Sequence, residues 1–119
     1  MNPYVVDSII SPKGEVVSKT EPSVFTTAIS PAVAAQVNEA MLEVVTNGTG
    51  TSAQINGYTI RGKTGTAQTG AEKDNSWFVG YITIGSKNIV VAVLIEETND
   101  GTATPKARQM FEAAISVLQ

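Results

Sequence analysis

The chain of 119 residues contains neither cysteine nor histidine. Without cysteine it forms no disulfide and no thiolate metal site, and cysteine usage says nothing of the redox compartment. Without histidine it lacks the commonest general base and the commonest metal ligand. Any acid–base chemistry falls to Lys, Asp, Glu, Tyr or a group from elsewhere. Charge is sparse: 16% of residues are charged, the net charge is −3, and no run of one sign occurs. Nucleic acid is therefore not an expected partner, because phosphate backbones are met by a basic face. No apolar run is long enough to span a bilayer. The opening Met1-Asn2-Pro3-Tyr4 has neither the charged nor the apolar region of a signal peptide. Repeats and low-complexity tracts are also missing.

What is present suits a small folded core. Hydrophobic residues make up 42%, too many for a disordered tail, and the length fits one domain or part of one. Val5-Val6 and Ile9-Ile10, then Ser11-Pro12-Lys13-Gly14, then Val16-Val17 read as a β-hairpin about a type I turn. Residues 18–29 are polar and irregular. Ser30-Pro31 is a helix start, with Ser as cap and Pro in the first turn. Val33, Val37, Met41, Val44 and Val45 then recur near helical spacing up to Asn47-Gly48, where Gly is expected to adopt the left-handed conformation.

Residues Asn47 to Gly57 form a loop, and Tyr58-Thr59-Ile60 opens a strand continuing through Lys63 to Gln68. Thr69 to Ser76 is a polar connection, followed by the β-prone run Trp77 to Ile84. Gly85 to Asn88 turns the chain into Ile89 to Ile95, an apolar run without alternation that predicts a strand buried on both faces. After a polar loop, Thr104-Pro105 starts a second helix. Ala107, Met110, Phe111, Ala114, Ile115 and Leu118 share one of its faces. The expected class is α+β, an antiparallel sheet covered by helices.

Two motifs overlap in Gly57 to Gln68, GYTIRGKTGTAQ. The first eight letters satisfy G-x-x-x-x-G-K-[ST], a phosphate-cradling loop, and Ile89 to Ile95 with Glu96-Glu97 imitates its Mg²⁺-binding strand. The flanks argue against that reading. Such a loop follows a buried strand and opens a helix, whereas the preceding residues are loop-forming and Gly65-Thr66-Ala67-Gln68-Thr69-Gly70 is a poor helix. The second motif is K-T-G at Lys63-Thr64-Gly65, which belongs to enzymes that acylate a serine. Its flanks suit a strand. Gly65 has no side chain, so a substrate backbone fits against it as an added strand.

Five short motifs occur in order: Ile29-Ser30-Pro31-Ala32-Val33-Ala34, Val44 to Gly50, Gly62 to Gln68, Trp77-Phe78-Val79-Gly80-Tyr81 and the strand ending Ile95-Glu96. Together they resemble the C-terminal part of the transpeptidase domain of class B penicillin-binding proteins, over about Val5 to Leu118. The resemblance implies one partial domain over residues 1–119. It implies an enzyme that acylates a serine with the D-Ala-D-Ala end of a peptidoglycan stem peptide, passes the acyl group to a neighbouring amine, and is trapped by β-lactams. It implies that Lys63 and Thr66 are catalytic, with Lys63 in the serine network and the Thr66 N–H in the oxyanion hole. Substrate binding falls to Thr64, Gly65, Thr66 and Gln68, with Thr64 and Thr66 hydroxyls on the substrate carboxylate. No cofactor or metal is implied. The parent protein is expected on the outer face of the bacterial cell membrane.

The family also needs S-x-x-K and S-x-N upstream of K-T-G. No serine here has a lysine three residues later, and Ser86-Lys87-Asn88 follows K-T-G in a hairpin turn. The chain alone is therefore expected to be inactive. A β-lactam-binding sensor module of the same fold is the alternative. Trp77 is expected in the core, with a place lining the substrate groove as the alternative; Tyr58 and Tyr81 are expected to serve as packing residues, and Glu96-Glu97 as a solvated strand end. The loops Asn47–Asn56 and Thr69–Ser76 are candidate rims of the motif strand. Without the rest of the domain, an apolar sheet face is expected to stay exposed and drive self-association.

Overall fold

A computed structural model describes residues 1–70, 72–98 and 101–118. Residue 71, within the expected Thr69–Ser76 connection, and residues 99 and 100, before the last helix, lie outside the described residues. The chain forms two compact units, Met1–Val33 and Ala34–Gln119.

In the first unit, β1 (Ser8–Ile10) and β2 (Val16–Lys19) pair antiparallel, with a bulge between Ile9 and Ile10. The expected turn joins them. The Gly14 N–H donates to the Ser11 carbonyl at 2.9 Å. The Ser11 hydroxyl oxygen accepts from the Lys13 and Glu15 amides at 3.3 and 3.2 Å.

The helix α1 (Pro31–Thr46) begins where Ser30-Pro31 predicts, and the Ser30 hydroxyl accepts the Val33 N–H at 3.3 Å. Its apolar stripe is buried unevenly. Val45 is buried, Met41 and Val44 are half-buried, and Val33 and Val37 are exposed. The helix end corrects another expectation. Gly48 is not in the left-handed region; instead, a side chain there would meet the Cα and carbonyl oxygen of Val44 at 3.0 Å. Close approach, not backbone freedom, is what requires glycine there. The Gly50 N–H then donates to the Val44 carbonyl at 2.9 Å, and Gln54 Nε2 donates to the Val45 and Thr46 carbonyls at 2.7 and 3.0 Å. These donors satisfy carbonyls that a helix end leaves unpaired. The expected loop includes a 3₁₀ turn, Thr51–Ala53, with Ala53 fully buried.

The second unit is built on an antiparallel sheet of β3 (Ile60–Ala67), β4 (Asp74–Ile84) and β5 (Lys87–Thr98), in that order. β4 starts three residues before Trp77, so the polar connection is shorter than expected. The β4–β5 turn is two residues, Gly85 and Ser86, with φ +59° at Gly85, as a tight hairpin demands. Ser86-Lys87-Asn88 is thus turn and strand, and Asn88 accepts the Thr83 hydroxyl at 2.7 Å.

Side chains on one face of the sheet, Ile60, Phe78, Ile82 and Val91, form the core with Val45, Ala53 and three residues of α2 (Ala103–Leu118): Ala103, Ala107 and Phe111. Ala114, Ile115 and Leu118 continue the expected helix face half-buried, while Met110 at its margin is exposed. The start of α2 is tied to β4, where the buried Ser76 hydroxyl accepts the Ala103 N–H at 3.1 Å.

The expectation for β5 fails. Val91 is buried and Ile89, Val93 and Ile95 are half-buried, but Val90 and Leu94 between them are exposed. β5 alternates after all, because α2 covers only one face of the sheet. Its sequence hides this by placing apolar residues on both faces. Trp77 is corrected for the same reason. It lies opposite Leu94 on the open face, 38% exposed, rather than in the core. Tyr58 packs against the core partly buried, and the Tyr81 hydroxyl donates to Asn38 Oδ1 at 2.9 Å. Glu96 and Glu97 are exposed as expected, with Glu97 at φ +47° where the β4–β5 register shifts and its N–H donating to Asn75 Oδ1 at 3.0 Å.

Candidate functional site

Lys63, Thr64, Gly65 and Thr66 lie within β3, an edge strand of its sheet. The strand continues to Ala67, so no helix opens after Lys63-Thr64 and the phosphate-loop reading is excluded by the backbone. Gly57 is only the last turn before the strand.

Register fixes which face each motif residue takes. Lys63 is opposite Val79 and Gly65 opposite Trp77, on the open face; Thr64 is opposite Phe78 and Thr66 opposite Ser76, on the face of the core. Alternation therefore separates the Lys63 side chain from those of the two threonines. Lys63 is exposed, and its Nζ folds onto the Thr64 carbonyl at 2.6 Å. The Thr64 hydroxyl shares a hydrogen bond of 2.6 Å with the Thr49 hydroxyl, from the loop after α1. Thr66 is exposed near the end of the strand, and Gln68 is exposed just beyond it.

Gly65 leaves room for its neighbour. A side chain there would come within 3.3 Å of the Trp77 Cβ. Trp77 is thus a neighbour of the motif on the open face, where the groove-lining alternative rather than the core position would put it. Thr49 was missed altogether, because nothing in Thr46-Asn47-Gly48-Thr49-Gly50 marks one hydroxyl over another. Its bond to Thr64 brings the first candidate rim loop to the motif. In the other, the Thr69 hydroxyl donates to the Lys73 carbonyl at 3.3 Å.

A cavity of about 560 Å³ lies elsewhere, at the start of β3 between the end of α1 and Arg108 of α2. Leu42, Val45, Ile55, Tyr58 and Ile60 line it, but none of Lys63, Thr64, Gly65, Thr66 and Gln68 does. The motif residues form an open edge instead. One exposed ammonium and two hydroxyls on the edge strand of the β3–β4–β5 sheet are what an extended, carboxylate-bearing ligand would meet.

Comparison with known proteins agrees along nearly the whole chain. The family model of the penicillin binding protein transpeptidase domain matches residues 1–116. The peptidoglycan D,D-transpeptidase PbpA of Mycolicibacterium smegmatis is 33% identical, over 97% of this chain and 26% of the relative. Among solved structures, the D,D-transpeptidase domain of a peptidoglycan glycosyltransferase from Eggerthella lenta superposes with a TM-score of 0.83 at 39% identity, over 97% of this chain and 27% of that one. Penicillin-binding protein A from M. tuberculosis, solved as an imipenem acyl-enzyme complex, gives 0.74 at 33% identity, over 95% and 26%. The chain thus spans about a quarter of the relatives that it matches.

Proposed function

The chain belongs to the penicillin binding protein transpeptidase family, and from that premise we propose that residues 1–119 are one partial domain, the C-terminal segment of a peptidoglycan D,D-transpeptidase, carrying the K-T-G wall of its active site. The observation that carries this reading is the position of Lys63 to Thr66 on the edge strand of the β3–β4–β5 sheet, with the lysine side chain exposed.

In the complete protein a serine upstream of this chain attacks the carbonyl of the penultimate D-Ala of a stem peptide. The terminal D-Ala leaves, and the acyl group passes to an amine of a neighbouring strand. A β-lactam acylates the same serine. Lys63 supports the serine network by its charge, and the Thr66 N–H donates to the oxyanion as it forms. Thr64 and Thr66 hydroxyls hold the substrate carboxylate, while Gly65 and Gln68 lie along its backbone. The reaction belongs outside the cytoplasmic membrane, where peptidoglycan is cross-linked, and no cofactor enters it.

The serine-bearing part has a natural seat. Trp77, Val79, Val90 and Leu94 lie on the open face of the sheet, each more than a third exposed, and Lys63 is on that face too. A docked upstream region would cover these apolar groups and meet the lysine. In its absence the same patch drives self-association. Sedimentation of residues 1–119 should therefore show a concentration-dependent rise in mass; a clean monomer at every concentration would contradict it.

Fluorescent penicillin tests the function. The full-length protein should form a one-to-one adduct on a serine outside residues 1–119. Failure of that protein to label would overturn the assignment.

A further inference from the structure

The Thr49 and Thr64 hydroxyls form a pair beside the motif. We infer that Thr49 is a positioning residue for substrate recognition: its hydroxyl holds that of Thr64 in the orientation from which Thr64 donates to the carboxylate of the incoming peptide or β-lactam. This inference rests on the proposed acyl-transfer function and names the residue that prepares its carboxylate site.

A threonine hydroxyl has one proton to donate and two lone pairs to accept with. At 2.6 Å the two oxygens are near the short end of the O–H···O range, and either can be the donor. If Thr64 donates to Thr49, its proton is spent. If Thr49 donates, the Thr64 proton is free for a ligand. A carboxylate offers only acceptors, so its arrival selects the second arrangement and completes a chain from Thr49 through Thr64 to the ligand. Hydrogen bonds aligned in one sense strengthen each other.

The loop that presents Thr49 is pinned on both sides. Gly48 lies against the Val44 backbone, and the buried Gly50 donates its N–H to the Val44 carbonyl at 2.9 Å. The main chain of residue 64 is held as well, its carbonyl accepting from Lys63 Nζ at 2.6 Å. Thr64 is thus fixed through its carbonyl by the lysine and through its side chain by Thr49. Without Thr49, the Thr64 hydroxyl is free to sample its other staggered rotamers and to bond to water.

The test uses the full-length protein, acylated by benzylpenicillin and by its methyl ester. Thr49→Val keeps the branched shape and removes the hydroxyl. It should slow acylation by the free acid roughly five- to tenfold, the worth of one net hydrogen bond, through weaker binding rather than a slower acylation step. The ester should change less than twofold. Thr49→Ser should restore the free-acid rate. In a Thr64→Val background, adding Thr49→Val should have no further effect, since the path through Thr64 is already cut. Equal slowing of acid and ester in Thr49→Val, or no slowing of either, overturns the inference and leaves the function standing. A full-length protein that is not acylated at all overturns the function, and this inference with it.

Discussion

Gly62→Ala should remove a large part of this small domain's margin of stability. Gly62 faces Gly80 directly across β3 and β4, and the Phe78 ring lies over both. A Cβ on Gly62 would come within 2.3 Å of the ring's Cζ and 3.0 Å of the Val79 carbonyl oxygen. The ring has nowhere to retreat. Phe78 is fully buried, and on its other edge a Cβ at Gly80 would lie 2.8 Å from the same ring. Overpacking a well-filled core costs about 1–3 kcal/mol, occasionally more. The upper end is expected here, against a total of about 5–15 kcal/mol for an ordinary domain. Urea denaturation should show the midpoint falling sharply at unchanged slope. Gly62→Ala combined with Phe78→Leu should recover part of the loss, because the smaller side chain vacates the contested space; such neighbours are not additive. A Gly62→Ala protein within about 0.5 kcal/mol of the original, the range of an ordinary surface change, would contradict this packing.

The second large effect concerns chemistry rather than stability. Lys63→Ala in the full-length protein should reduce penicillin labelling at least about 100-fold, the scale of losing a preorganised electrostatic group at the reacting centre. The fold should persist. Lys63 is exposed, and its side-chain hydrogen bond is to the neighbouring Thr64 carbonyl, so its removal opens no cavity and strands no buried charge. The pair of measurements separates the two roles of one short stretch. Gly62 is expected to act through packing and Lys63 through the proposed site, although they are adjacent. Unchanged labelling in Lys63→Ala, with the melting temperature also unchanged, would remove the lysine from the catalytic role.

Local signals carried far along this chain. Ser30-Pro31 marked a helix start because a hydroxyl cap and a proline need no partner from elsewhere. Gly85-Ser86 marked a hairpin because the turn itself requires a positive φ, and Ser11 to Gly14 closed the other turn through its own hydroxyl and amide. Lys63 to Thr66 could be placed on a strand from its flanks alone.

What escaped was set by tertiary contact. The apolar run Ile89 to Ile95 reads as buried on both faces, and only the placement of α2 on one side reveals that Val90 and Leu94 are open. Trp77 looks like core for the same reason. The open face is itself coherent if a further part of the domain belongs there. The role of Gly62, which the phosphate-loop motif claimed, was invisible because its partner Phe78 sits in another strand. Thr49 was invisible because a hydrogen bond across 15 positions leaves no periodicity.

The most direct measurement is penicillin labelling of residues 1–119 alone and again with a separately produced fragment carrying the upstream part of the domain, the modified residue being located by mass spectrometry. The isolated chain should give no adduct, and the mixture should give one, on a serine of the upstream fragment. A stable one-to-one adduct on the isolated chain would contradict the reading of Lys63 to Thr66 as one wall of a site whose nucleophile lies elsewhere.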